Sequence, residues 1–460
     1  MARAVLQSNM TQADAKGTAG TPGAEGVPRE AGRPARNLIG LPRSPVLSHY
    51  RKQLERAGVS PDASFPHKIG AFLSKHLLIW AYEYLKFIFH PKHEFQDYRD
   101  SSGERGVYAL RPDSGSQNEP EGNRPIRVCL AADWGTGTSE ANDIARHIAE
   151  IDPHYTIHLG DIYYVGDDDE VNENCLGKAE PGGTIRPVRW PVGSVGSFAL
   201  NGNHEMYANG NGYFNLFLPT LGIPGSNEGR HGQKASFFCL QNQYWKIIGL
   251  DTGYNSLGFP ILEHIPLIRK IPGIGPSCRL PRPLLKWLRE DAKLGADKRG
   301  IVLLSHHQYY SAFEDQYTLP ARQLARFICR PVLWFWGHEH RLAIYGKFGM
   351  DGSVQAYGRC IGNGGFPVSR GQLVTNPQPP LVLYDDRLYK VVEGMELGFN
   401  GFVKLTFAEN RMSIDYRDVE NKKLMEEDWE VHEGVLQGKS IQSADSELKR
   451  TSHDLGMAVR

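Results

Sequence analysis

Five apolar runs, each stopping at Asp, Asn or His, constrain this chain more than any other feature. IRVCLAADWG stops at Asp133, and YTIHLGD stops at Asp161. SFALNGNHE runs into Asn203, His204 and Glu205. GIVLLSHHQ ends in His306 and His307, and PVLWFWGHEH ends in His338 and His340. Short apolar runs of this length read as strands buried on both faces. Helical patterns lie between them, as in SEANDIARHIAEI, with Ser139 as the expected N-cap, RPLLKWLREDAKL and ARQLARFI. Strands alternating with helices imply a layered α/β core. In such cores, sites form just beyond the carboxyl ends of strands. One strand ending in Gly-Asp is commonplace, but chance rarely ends five strands this way.

The residue types at those ends suit metal ions. Two cations held close together repel, so they need a shared anion between them and neutral or anionic donors on each flank. Asp161 suits the bridge, because one carboxylate has two oxygens. Tyr164, three residues on, is near enough for its phenol oxygen to reach the same ion. Asp133 offers a second carboxylate, Asn203 an amide oxygen, and His306, His338 and His340 imidazoles. This mixture of O and N donors favours Fe, Zn or Mn over Ca or Mg. In His338-Glu339-His340, an extended chain would point both rings to one side, where each could take a different ion. Each residue also has a plainer reading. Tyr164 and His158 suit a core, Asn203 beside Gly202 suits a tight turn, and single histidines after strands are usually just hydrogen-bonded. His307 would face away from His306 in an extended strand, and is read as facing substrate or supporting a ligand. Glu205 and Glu339 read as groups that orient neighbouring ligands.

Bulk properties narrow the partners. The chain has 460 residues, enough for a large core, and 52 basic against 52 acidic residues leave it neutral. A neutral chain has no bulk field to gather nucleic acid, and none is expected as a partner. The six cysteines are scattered and none forms a C-x-x-C pair. Neither a zinc knuckle nor a redox motif is indicated, and a reducing compartment fits. The opening MARAVLQSNMTQADAKG lacks the apolar core of a secretory signal. A cytoplasmic protein is therefore expected.

Composition divides the chain. Residues 1–45, rich in Gly, Ala, Pro and Arg, cannot bury enough apolar surface to offset ordering and are expected to be disordered. Residues 46–98 read as a helical extension, in which Phe72, Leu73, Leu77, Trp80, Tyr84, Phe87 and Ile88 share a face. Lys75, Glu83 and Lys86 interrupt that run, so it makes a poor transmembrane span, which needs roughly 20 mainly apolar residues. Residues 99–124 read as a linker and 125–425 as the main domain. From residue 426 the chain turns polar and is expected to fray.

The ordered blocks DWG, GDIYY, GNHE, SHH and GHEH resemble those of the calcineurin-like metallophosphoesterase superfamily. Many members carry Asp-x-His in the first block, where this chain has Gly135, and Gly-Asp-x-x-Tyr is found in the purple acid phosphatase branch. The resemblance is therefore greatest to purple acid phosphatase-like enzymes. It covers about residues 125–420. It implies a four-layer α/β/β/α fold, a β-sandwich core flanked by helices, here with a helical N-terminal extension.

By the motifs, Asp133, Asp161, Tyr164 and His340 would bind a first metal, with Fe(III) expected there. Asp161, Asn203, His306 and His338 would bind a second, Fe, Zn or Mn. His204 would be the non-ligand histidine that protonates the leaving oxygen, with Asn203, His204 and His307 facing a phosphorylated small-molecule substrate. The implied reaction is hydrolysis of phosphate monoesters, in which bound metals lower the pKa of water and hydroxide attacks phosphorus in line. A phosphodiesterase acting on nucleotide-type substrates is the alternative, and a non-catalytic scaffold of the same fold is a third reading. The segment SAFEDQY lacks the substrate-side histidines that purple acid phosphatases often carry there.

Overall fold

The computed structural model describes residues 91–99, 105–113, 124–179, 186–224, 230–257, 277–392, 394–443, 445–453 and 458–459. The disordered segment expected over 1–45 lies outside these residues. So does the expected helical extension, except for 91–98, which runs without helix.

In chain order the main strands begin with β1 (Val107–Ala109), β2 (Ile126–Ala131), β3 (Tyr155–His158) and β4 (Gly196–Ala199). Next come β5 (Phe238–Gln241), β6 (Trp245–Gly249), β7 (Gly300–Ser305), β8 (Val332–Trp336), β9 (Leu342–Phe348) and β10 (Ala356–Ile361). The rest are β11 (Leu381–Tyr384), β12 (Gly401–Ala408), β13 (Arg411–Asp418), β14 (Lys423–His432), β15 (Val435–Ser443), β16 (Lys449–Arg450) and β17 (Ala458–Val459). Among the described residues they form two large sheets. One has nine strands in the order β1-β5-β6-β7-β8-β10-β9-β11-β16, the other eight in the order β17-β15-β14-β13-β12-β2-β3-β4. The helices are α1 (Ser139–Ile151), α2 (Asp168–Asn174), α3 (Asn203–Tyr207), α4 (Arg282–Glu290) and α5 (Thr318–Leu324).

Alternation along the central strands explains the layers. On β2, Val128 and Leu130 join the apolar layer between the sheets, while Cys129 and Ala131 face the layer that contains Ile144 and Ile148 of α1. On β7, Val302 and Leu304 point inward, while Ile301 and Leu303 join Leu284 and Leu288 of α4. On β8, Leu333 and Phe335 alternate in the same way with Trp334 and Trp336. Because both faces of each sheet are covered, these strands are continuously apolar in sequence rather than alternating. The result is the expected sandwich with helices outside each sheet. All six cysteines are free, and Cys129 and Cys239 are core thiols.

Three boundaries differ from the sequence reading. The expected linker contains β1, which pairs in parallel with β5 at a sheet edge. The expected fraying tail instead supplies β14 and β15, which pair from Met425 opposite Ser443 to His432 opposite Val435. From Met425 to Val431 burial alternates along β14, with Met425, Glu427, Trp429 and Val431 buried and Glu426, Asp428 and Glu430 partly exposed. Helix α1 is capped by Thr138, whose side chain accepts from Ala141 N at 3.2 Å, one residue before Ser139.

A buried ion pair ties the sheets together. Arg359 on β10 and Glu427 on β14 are both fully buried and meet at 2.7 Å. Tyr416 and Trp429 donate to the carboxylate at 2.9 and 2.8 Å, and the guanidinium donates to the carbonyls of Tyr345 and Gly358, each at 2.7 Å. Removing one partner strands the other charge in the core, a loss of about 3–5 kcal/mol. Arg359→Met is therefore expected to lower the urea unfolding midpoint sharply, and Arg359→Met with Glu427→Leu is expected to recover most of it. A single variant as stable as the parent would show that the pair is not closed off from water.

Candidate metal centre

All five polar strand ends converge. Strands β2, β3 and β4 are parallel, as are β6, β7 and β8, so in each set the carboxyl ends lie on one edge. Asp133 follows β2, Asp161 follows β3, and Asn203 and His204 follow β4. His306 and His307 follow β7, and His338 and His340 follow β8. The loops lock to one another across the two sheets. Asp133 N donates to Gly160 O at 3.0 Å, Gly337 N to His306 O at 2.9 Å, and His306 Nδ1 to Leu159 O at 3.0 Å. Asp133, Asp161 and His338 hold left-handed backbones, with φ of 56°, 72° and 66°. Such backbones cost about 1–3 kcal/mol each outside glycine and cluster at functional sites. Two glycines permit the close approach. A Cβ on Gly202 would overlap the Asp161 carboxylate, and one on Gly337 would lie 2.5 Å from Asp133 Oδ2.

Two groups of donor atoms result. In the first, ligand atoms of Asp133, Asp161 and His340 lie within 4.8 Å of one another, and in the second those of His306, His307 and His338 do. The Tyr163 hydroxyl sits among the first group. It donates to Asp133 Oδ1 at 2.8 Å and lies 3.2 Å from Asp161 Oδ2 and 2.8 Å from His340 Nε2. Asn203 Oδ1 sits in the second group, 3.2 Å from His306 Nε2 and 2.9 Å from His338 Nδ1. Asp161 touches both groups, since its Oδ2 is also 3.2 Å from His306 Nε2.

The placements refine the sequence reading. Tyr164 reaches the site through its backbone, its carbonyl accepting from His204 Nδ1 at 2.6 Å. The phenol among the first carboxylates is that of its neighbour Tyr163. Tyr163 is held there by its N–H on Gly135 O at 2.9 Å and by Asn174 Nδ2 on its carbonyl at 2.8 Å, while Glu170 takes the N–H groups of Tyr164, Val165 and Gly166. His338 and His340 reach different groups, as expected, but through a turn rather than an extended chain. His307 was expected to point away from His306. Instead its ring lies 4.8 Å from that of His306 and 4.6 Å from that of His338, because the chain bends directly after β7. Thr252 supports it, with Oγ1 at 3.0 Å from His307 N and 3.2 Å from Nδ1. His204 stands beside the carboxylate, not within either group, with Nε2 3.8 Å from Asp161 Oδ2. Glu205 accepts from Gly202 N at 3.0 Å, and Glu339 lies 3.5 Å from Arg341 Nε.

Sequence reasoning missed Tyr163, Glu170, Thr252 and Phe366. Phe366 packs on Tyr163 and His340 with ring centroids at 4.5 and 4.1 Å. Of these only Tyr163 left a signal, as half of a Tyr-Tyr pair whose inward member the motif spacing did not identify.

The electrostatics indicate what the site can hold. Because His306 Nδ1 carries the proton donated to Leu159, a neutral ring aims a lone pair from Nε2 at Asp161 Oδ2 and Asn203 Oδ1. Three lone-pair donors facing one another need a cation among them. Burial alone would lower His306, but Asp161 outweighs it and pushes the imidazole up to about 9. Burial also resists ionisation of Asp161, yet His306 and His204 outweigh it and hold its carboxyl well below the ordinary range. Burial pushes Asp133 up to about 7 against the pull of His306, and holds His338 down to about 3. The donor set therefore fits a pair of borderline cations: two carboxylates, a phenol and an imidazole on one side, an amide and imidazoles on the other.

No curated protein matches the chain in sequence. Among solved structures, it is similar to PhoD at 14% identity, with 76% of this chain and 75% of that one covered and a TM-score of 0.41. It is similar to the purple acid phosphatase PPD1 from seeds of yellow lupin (Lupinus luteus) at 13% identity, covering 66% and 53%, with a TM-score of 0.36. A dimetal phosphatase from Danio rerio is similar at 13% identity, covering 64% and 96%, with a TM-score of 0.34. Residues 126–342, from the start of β2 to the start of β9, match the family model for calcineurin-like phosphoesterases. That segment spans all five polar strand ends, and over it the chain is similar to calcineurin-like phosphoesterases.

Proposed function

We propose that this protein is a dinuclear metal-dependent phosphoesterase of the purple acid phosphatase type that hydrolyses phosphate monoesters. The observation that carries the reading is Asp161, whose carboxylate touches both donor groups at once. Asp133, Asp161, His340 and a tyrosine would hold the first ion. Asp161, Asn203, His306 and His338 would hold the second, with His307 beside them facing substrate. When bound, the ions lower the pKa of water and neutralise phosphoryl charge. The chain's own part is positioning and proton supply. The Leu159 carbonyl fixes the tautomer of His306, and the Tyr164 carbonyl fixes that of His204. His204 Nε2 then faces the cluster, and a proton taken up there would pass to the departing oxygen. His204 N donates to Asp161 Oδ1 at 3.0 Å, so the proton donor and the shared carboxylate are held as one unit.

Phosphodiesters are a second reading, favoured by Arg341. This buried guanidinium follows His340 directly but is tied to Glu314 and Glu339, each at 3.5 Å. Its charge is thus partly spent before a dianionic monoester arrives. Metal-reconstituted protein assayed on paired aryl mono- and diesters separates the readings. The proposal expects the larger kcat/KM on the monoester, and hydrolysis of neither would overturn it.

The tyrosine sets the first metal. A phenol normally keeps its proton to a pKa of about 10, and a trivalent cation removes it. Ferric iron with a phenolate ligand gives a visible charge-transfer band, so iron-loaded protein is expected to be purple or pink. Tyr163→Phe is expected to abolish the band, while Tyr164→Phe retains it. The reverse pattern would assign the ligand to Tyr164, as the Gly-Asp-x-x-Tyr motif alone suggests. An iron-loaded parent without such a band would remove tyrosinate altogether.

A further inference from the structure

One peptide group beside His204 is bonded at both ends. Its C=O, that of Tyr164, accepts from His204 Nδ1–H at 2.6 Å. Its N–H, that of Val165, donates to Glu170 Oε2 at 2.7 Å. The same Glu170 oxygen accepts from Gly166 N at 2.8 Å, and the other takes the N–H of Tyr164. Glu170 lies near the start of α2, where the Asp167 side chain accepts from its N–H at 2.9 Å. Glu170 is buried, and so is His204.

We propose that Glu170 is a positioning residue that acts on His204 through this peptide group. The arrangement is a carboxylate–peptide–imidazole chain, resting on the proposed phosphoesterase reading of His204. An acceptor at the N–H end of an amide draws electron density toward its carbonyl oxygen, so the bonds strengthen one another. The carbonyl then holds His204 Nδ1–H firmly, fixing the orientation of the ring so that Nε2 stays aimed at the place of the departing oxygen. A carboxylate would ordinarily do this by direct contact with the imidazole. Here the same negative charge is relayed by a single peptide group. Glu170 touches neither donor group, so it can be altered without removing a ligand.

The test is a double-mutant cycle on metal-reconstituted protein, with Glu170→Gln and His204→Ala alone and together. Glutamine keeps the shape and removes the charge. Loss of a supporting hydrogen-bond partner typically costs about 10–100-fold in activity. Glu170→Gln is expected to lower kcat by that factor on an alkyl phosphate, with KM and metal content unchanged. The loss is expected to be smaller on p-nitrophenyl phosphate, whose leaving group needs no proton. In the His204→Ala background the substitution is expected to add almost nothing, because coupled residues are not additive. A loss of equal size in both backgrounds, or one that tracks lost metal, would overturn the relay.

A second readout does not depend on turnover. In zinc-loaded protein labelled with 15N-histidine, the low-field N–H resonance that His204→Ala removes is expected to move upfield in Glu170→Gln. If the parent hydrolyses no phosphate ester yet the resonance moves, the relay stands and the phosphoesterase reading falls. An unmoved resonance overturns the relay whatever the activity.

Discussion

Asp161→Asn is expected to empty the metal centre and abolish hydrolysis while leaving the fold intact. Asparagine matches aspartate in shape, so the left-handed backbone at φ 72° and the bond from His204 N to Oδ1 can persist. The charge cannot persist, and it is the charge that both donor groups share. Around Asp161 Oδ2 stand His306 Nε2 and the Tyr163 hydroxyl, each at 3.2 Å. An amide placing NH2 there would turn two of its protons toward the ions. Losing a supporting partner costs about 10–100-fold in metal affinity, and losing the shared ligand should cost more. Metal analysis is expected to fall from two ions per chain to below one, with hydrolysis at background. Two retained ions would show that Asp161 is not the bridge.

His204→Ala is expected to give the opposite pattern, full metal content with little turnover. Its ring stands outside both donor groups, with Nε2 3.8 Å from Asp161 Oδ2 and Nδ1 committed to a carbonyl. A positioned proton donor contributes about 10²–10⁴-fold. The loss should be largest for alkyl phosphates and smallest for p-nitrophenyl phosphate, whose leaving group departs without a proton. An equal loss on both would assign His204 to phosphoryl binding instead. A variant that has lost its metals would make it a ligand.

The layers and the site were legible for the same reason. Strands covered on both faces must be apolar throughout, so the polar residue ending each one stands out, as at Asp133, Asp161 and His306. What lay hidden depends on tertiary contact. Strand β1 is a strand because its Val107 pairs with Cys239 of β5, far along the chain. Strand β14 alternates buried and partly exposed residues from Met425 to Val431, so its charged residues masked it. The inward pointing of Tyr163 goes with its bonds to Gly135, Asn174 and Asp133, and the nearness of His307 depends on a bend after β7. Neither effect leaves a mark in residue spacing. Glu170 itself sits in an acidic run, DDDE, that reads simply as a helix start.

The central claim is that two ions between Asp133, Asp161, Asn203 and the histidines turn over a phosphate ester. The direct measurement strips the full-length protein with chelator, titrates iron, zinc or manganese back, and follows bound metal and aryl phosphate hydrolysis in the same samples. The apoprotein is expected to be inactive, and hydrolysis is expected to rise with metal and saturate at two ions per chain. Hydrolysis that survives full metal removal, or two tightly bound ions with none, would contradict it.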